Sequence, residues 1–460
     1  MRPLDAALTE TPSGRLLGLL RGLSPGGVVL AATLPIVFLH VNYQPSVSVQ
    51  LAGVSPTFKL SDAMVLLTAL AALTSAVRGG RGQLRQGRAV WTTGILLLAW
   101  IVAATFYPLL SSRAYAWKTH LVTAAEFCEY ALLAPAVPLL LRRRADQLLA
   151  LGTLVAWTVV ADVVGVLQWA GWNILGGWGR GYRQPSFLGT HDFASLAAMT
   201  LGLGIVGLLW RGHERRLRTG AWAAVVSGAI GFVLGGATAG IVGLVPAAVV
   251  AAAVAAKRGL LRRRTLAAAA AAVALASLGV VGLRAGDFGQ FLRFLGVQRA
   301  QSSTTRNVQT YSQRTLLAYI GARIWLHHPI VGVGWEGSSE VSAFGRELPA
   351  AHRRFPHVAA LAFPSAQHPY GVQVLYVQTL ADLGVVGFVL LATLYATALA
   401  VAARTALRGP PQAAFVATVG LFWLVLTLGL WTAVGLVAGL PLDAITWLGF
   451  GAAATRLEPM

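Results

Sequence analysis

The sequence predicts an all-α, polytopic membrane bundle of about twelve transmembrane helices with one large loop outside it. Three observations carry this. Apolar residues make up 56% of the 460-residue chain and charged residues 11%, against about 25% charged in a soluble domain. Apolar runs close to 20 residues recur along the chain, the length that crosses a bilayer as a helix. Basic residues gather in the short turns between those runs, the pattern that orients polytopic proteins. The same composition excludes a disordered chain. A single cysteine excludes a disulfide framework and a Cys₂ or Cys₄ metal site.

The elements follow in order. The first 24 residues are polar and broken by Pro3, Pro12, Gly14, Gly22 and Pro25. No cleavable signal peptide is read there, and the first apolar run is a retained span. The expected spans are 26–41, 61–77, 89–110, 121–141, 148–170, 193–210, 221–235, 239–256, 265–283, 374–403, 413–437 and 442–455. The seventh and eighth are joined by a bare glycine turn at 236–240, and the twelfth is short. Three parts result: a first bundle at 1–283, a loop at 284–373, and closing helices at 374–460.

The basic residues set the orientation. With the N-terminus in the cytoplasm, the inner segments hold 22 Lys and Arg and the short outer segments five. The long loop is set aside, because long loops follow the rule poorly. Both termini are then cytoplasmic and the large loop extracytoplasmic. The net charge of +20 is thereby explained by short inner turns, and a nucleic-acid partner is not expected.

The large loop carries nine Arg, only four acids, and His327, His328, His352, His357 and His368. Such a loop suits an anionic substrate such as a phosphate or pyrophosphate. It equally suits a solvated cap on an anionic lipid surface. A second outer loop, 171–192, is rich in Gly, Trp and Tyr and holds Arg180 and Arg183. Interfacial aromatics alone mark only a headgroup belt. Inside the spans stand Glu126, Glu129, Asp162 and Asp382, and intramembrane acids are functional candidates. Glu126 and Glu129 share a helix face. No dense relay of acids is visible, and pairing with an arginine is the alternative.

The stretch at 312–334, SQRTLLAYIGARIWLHHPIVGVG, opens on Ser-x-Arg and closes on His-Pro-x-x-Gly-x-Gly. Arg314 stands fourteen residues before His328, with Pro329, Gly332 and Gly334 in register. The stretch at 376–387, YVQTLADLGVVG, follows a Tyr-Leu-Gln-x-Leu-Ala-Glu-x-Gly pattern, with Tyr376 first and Asp382 in the place of Glu. The stretch at 183–194, RQPSFLGTHDFA, puts Arg183 before a small-residue helix, with Asp192 where Asn is usual. Together these roughly 60 residues resemble the O-antigen ligase and polymerase superfamily, whose large outer loop also precedes the last spans. Two departures stand out. The family's His-Asn pair before the Tyr is Gln373-Val374 here, and the nearest histidine is His368. The Arg usual at the turn between the seventh and eighth spans is absent from 235–238.

The resemblance implies a fold of the GT-C-like class and transfer of a glycan from undecaprenyl pyrophosphate to an acceptor hydroxyl at the outer membrane face. The implied reaction is inverting and needs neither metal nor cofactor. The acceptor would be a lipid, another lipid-linked glycan or a protein. The leaving pyrophosphate needs positive charge where negative charge grows; Arg183 and Arg314 are the candidates, with Arg180 and Arg323 as further sources. The hydroxyl needs a base or acceptor, assigned to His368 or, without proton transfer, to Gln373. Asp192, His328, Tyr376 and Asp382 are expected in support. A polysaccharide or lipid transporter and a non-catalytic envelope assembly protein are the alternatives. Accumulation of substrate on the inner side would mark the transporter.

Overall fold

A computed structural model describes residues 22–110, 114–172, 175, 182–210, 215–294, 310–356, 358–436 and 441–455. Arg180 and His357 lie outside the described residues. The described residues are mostly helical. α1 (Pro25–Val37) leads through a small hairpin, β1 (Ser46–Ser48) and β2 (Thr57–Lys59), into α2 (Leu60–Val77). Then come α3 (Arg88–Phe106), α4 (Trp117–Ala131), α5 (Leu133–Leu140), α6 (Arg144–Trp169), α7 (Thr190–Leu209), α8 (Arg215–Gly235), α9 (Thr238–Lys257) and α10 (Arg263–Leu283). The large loop folds as α11 (Ala285–Phe294), α12 (Thr310–His327), α13 (Val341–Phe344) and α14 (Leu348–Arg354). α15 (Leu375–Arg408), α16 (Pro411–Leu430) and α17 (Pro441–Ala453) close the chain.

Ten helical segments among the described residues are long and apolar enough to cross a membrane. They coincide with ten of the twelve expected spans. The first and twelfth are 13-residue helices, α1 and α17. The first stops at Val37, and the chain then turns through a 3₁₀ segment at Val41–Tyr43. The fourth is divided at Leu132, after which Pro135 and Pro138 fall within α5; proline lacks the donor an unbroken helix needs.

α7 is the axis of the bundle. Every residue from Phe193 to Leu209 on it is buried. Small residues let its neighbours approach closely, as membrane helices require when lipid is as apolar as the side chains. A Cβ on Gly228 of α8 would stand 2.4 Å from the Leu201 nitrogen, and one on Gly235 2.8 Å from the Ala194 nitrogen. Outward-facing positions are apolar instead: Leu70 and Leu73 on α2 and Leu275 and Leu278 on α10 are 60–70% exposed. Such faces are stable only against hydrocarbon.

α15 is broken at Gly384 (φ 66°, ψ −169°), and the break explains the His-Pro-x-x-Gly-x-Gly segment. Val333 and Gly334 donate backbone N–H bonds of 2.9 Å to the Ala381 and Asp382 carbonyls. Val385 and Val386 donate to the carbonyls of Pro329 and Ile330, at 2.8 and 3.3 Å. Trp100 Nε1 donates to Leu383 O at 3.1 Å. The turn at 329–334 thus supplies the backbone partners that the interrupted helix lacks, a strict requirement at membrane depth. Gly332 has φ 71°, and a Cβ there would lie 2.3 Å from the Asp382 carbonyl oxygen.

Candidate functional site

At the end of the bundle that bears the 284–373 loop, three guanidinium groups converge from distant parts of the sequence. Arg183 comes from the segment before α7, Arg284 from the end of α10, and Arg314 from the second turn of α12. The tight turn between α8 and α9 organises two of them. Gly236 there has φ 59°, and a Cβ would stand 3.1 Å from both Arg183 Cγ and Leu283 Cδ2. Arg183 Nε donates to Gly235 O at 2.8 Å, and an Arg284 Nη1 hydrogen bond of 3.1 Å reaches Gly236 O. Both arginines therefore occupy carbonyls at the negative end of α8.

Arg284 is fixed from several sides. Its Nε pairs with the Asp287 carboxylate, which also accepts from the Tyr182 hydroxyl. Its guanidinium lies over the rings of Tyr182 and Tyr311, 5.6 and 5.3 Å from their centres. Tyr311 in turn bonds Thr238 at the start of α9, at 2.7 Å. Arg314 Nη2 donates to His191 Nε2 at 3.2 Å. Arginine can only donate, so this His191 nitrogen is an acceptor and the ring proton sits on Nδ1.

Arg183 Nη2 and Arg314 Nε are fully buried and bond to no group among the described residues. Buried N–H donors without partners are rare in folded proteins. The electrostatics agree. Burial, and then the neighbouring Arg284 and Arg314, lower the Arg183 pKa to about 10. Burial lowers that of Arg314 to about 10 as well, with Arg284 adding to it. Three like charges with one bonded carboxylate lack a counter-anion. The N-termini of α7, α9 and α12 meet here too, and α7 and α9 start without a side-chain cap. Helix N-termini favour anions. The arrangement can hold a phosphate-like anion against charged, oriented donors.

The other expected site residues are distributed as follows. Asp192 follows His191 on the first turn of α7, with its Oδ2 beside Gly189. Arg323 is nine residues beyond Arg314 on α12, half a turn round the helix. It pairs with Glu347 at 2.7 Å, and that bond raises its pKa. His328 is the first residue after α12, and its carbonyl accepts the Gly332 N–H. Tyr376 donates to Leu428 O and joins the wall of the core. Asp382 accepts the Ser338 N–H at 2.7 Å, so it holds the loop to the break in α15. His368 stands in an exposed turn whose ends bond Ser365, with its ring stacked near Tyr370. Gln373 is half-buried in the segment entering α15. That segment runs along α12: Gln313 bonds Ala362 O, and a Cβ on Gly321 would meet Val372. His368 and Gln373 thus lie on chain that follows the helix carrying Arg314.

Two residues of this group are absent from the sequence reading, Arg284 and His191. Arg284 is the first residue after an apolar span, where arginine ordinarily reaches for the headgroups. His191 is masked by its neighbour Asp192, which occupies the motif position. Among intramembrane acids, Glu126 pairs with Lys59 at 3.3 Å rather than with an arginine. Asp162 accepts from Ser227 at 2.5 Å.

Fold and site together define a multi-pass membrane protein with a cluster of buried arginine donors at one end. Residues 222–392 match the family model described as O-Antigen ligase, so this part of the chain is similar to that family. No curated protein matches it. The match supports an O-antigen ligase-like glycosyl transfer function in general. The matched segment runs from α8 through the Gly236 turn and the large loop into α15, and so contains Arg284 and Arg314.

Proposed function

We propose that the protein transfers a glycan from undecaprenyl pyrophosphate to an acceptor hydroxyl at the outer face of the cytoplasmic membrane. The observation that carries this is the pair of buried, unpartnered donors on Arg183 and Arg314 within a cluster short of negative charge. A pyrophosphate at the membrane edge would complete both. Arg183 and Arg314 bind its oxygens, and Arg284 stands where the family's turn arginine is missing. The acceptor oxygen attacks the anomeric carbon and the bond to the pyrophosphate oxygen breaks. The electron pair leaves on the pyrophosphate, and the hydroxyl proton passes to a base, with inversion. Guanidinium groups stabilise the charge that develops on the leaving group, the role a divalent cation fills elsewhere. His368 is the proposed base and Gln373 the non-titrating acceptor in its place. Asp192 and His191 position the start of α7 against Arg314.

The test is transfer by purified protein from an undecaprenyl-pyrophosphate glycan in the presence of EDTA. Release of undecaprenyl pyrophosphate should survive EDTA and depend on Arg314. Loss in His368→Ala with Gln373→Ala unaffected would assign the base to the exposed turn; the reverse would assign the acceptor to Gln373. Tight donor binding with no turnover for any acceptor would overturn the reading.

A further inference from the structure

At the opposite end of the bundle, α6, α8 and α16 part over the last turns of α7 and leave a crevice of about 560 Å³. Its walls are largely apolar, among them Leu151, Val155, Leu203 and Phe415. It exists because small residues line it. Cβ atoms at Gly152 and Gly220 would meet nothing within 4 Å. Polar groups gather at one end only. Arg144 begins α6. One turn on, Gln147 accepts from the Gln412 amide at 3.2 Å and donates to Leu141 O at 3.0 Å. Trp210 closes the same end, edge-on to Phe415 at 5.8 Å and under the Arg258 guanidinium at 5.8 Å.

From Arg144 to Ala156 the crevice follows thirteen residues of α6, about 18 Å of helix. One leaflet of a bilayer's hydrocarbon is about 15 Å deep. The polar end therefore falls at headgroup level and the apolar wall at acyl-chain depth. Arg142, Arg143 and Arg144 run consecutively there, and a basic cluster at the membrane surface attracts anionic lipid.

We propose that this crevice holds one anionic glycerophospholipid of the leaflet opposite the arginine site. An acyl chain lies along Gly152 between α6 and α8, and the phosphate meets Arg144 and the Gln147–Gln412 amides. The lipid then acts as a fixed wedge among helices that pack directly on the buried axis α7. This goes beyond the transfer reaction and does not depend on it.

Native mass spectrometry of the protein released from nanodiscs of mixed phosphatidylglycerol and phosphatidylcholine tests it. The wild type should retain one phosphatidylglycerol. Gly152→Leu fills the crevice with a side chain that has room, and it should retain none while its unfolding temperature stays level or rises, since leucine is the better helix former. Arg144→Gln should keep a lipid but lose about fivefold in preference for the anionic headgroup. Retention of the lipid by Gly152→Leu, or a wild type that strips clean, would overturn the proposal. So would replacement of the phospholipid by polyprenyl phosphate when both are supplied. Glycan transfer is not the readout, so this proposal and the proposed reaction fail separately.

Discussion

Arg314 carries two duties with one guanidinium. Its Nη2 bonds His191 while its Nε stays buried and available. A lysine cannot do both, because an ammonium is a single point charge without the planar fork. Arg314→Ala should lower transfer by about 10²–10³-fold, the usual cost of removing one donor to a developing anion. Arg314→Lys should recover little of it, and steady-state kinetics on the two variants check this. The pH dependence has a definite sign. Arg183 and Arg314 are held at about 10, below the ordinary arginine value. Their charged forms, which the anion needs, persist below that value and are lost as pH rises through it. Donor affinity should therefore be flat near neutrality and fall as pH approaches about 10. A glycosyl pyrophosphate has no group of its own titrating in that window, so a fall in binding measured by fluorescence comes from the protein.

At the scale of elements, the signature segment at 312–334 divides into two jobs. Its first half, α12, aims Arg314 at the start of α7. Its second half plugs the break in α15. Gly384 and Gly332 are two of the positions where the plug admits only glycine. Cβ atoms would fall 2.1 Å from Ile330 O and 2.3 Å from Asp382 O, at φ of 66° and 71°. Gly384→Ala should destabilise the protein by at least the ~1–3 kcal/mol of such backbone strain. Gly282→Ala, which meets nothing within 4 Å, should not. Thermal unfolding in detergent compares them. This division marks how far the sequence can be read. The spans were legible because hydrocarbon demands unbroken apolar helices, and ten of the twelve return as long helices. Arg183 and Arg314 were legible by motif register. The plug was not, because backbone pairing between 329–334 and 381–386 leaves no trace in hydropathy. Arg284 was hidden as well: it lies 101 residues beyond Arg183 in sequence, and only the packing of α8, α9 and α10 brings the two to one turn.

At the scale of the molecule, the two ends of the bundle differ in how they handle positive charge. At one end Arg183, Arg284 and Arg314 turn inward and converge, while Arg346, Arg353 and Arg354 of the loop stay exposed. At the other the arginines lie in short turns, as with Arg142 bonding Ser75 and Arg258 bonding the last carbonyls of α15. The large loop is clamped to the first end. His120 on α4 bonds Glu336 and Glu340 at 3.4 and 2.8 Å, and the bond from His120 lowers the Glu340 pKa. Thr123 donates to Glu336, and Tyr115 reaches the Trp335 carbonyl. A loop held in this way must share the membrane side of the arginine cluster. That makes orientation measurable with few residues. Cys128, on α4, is the single cysteine, and Cys128→Ala gives a background without thiols. Cysteines placed at Val341 in the loop and at Gly82 in the arginine-rich turn after α2 occupy opposite ends. In intact cells an impermeant maleimide should label Val341→Cys and spare Gly82→Cys until the membrane is opened. The reverse pattern would put the arginine cluster in the cytoplasm. It would then face no donor presented at the outer leaflet, and the proposed reaction would fall with it.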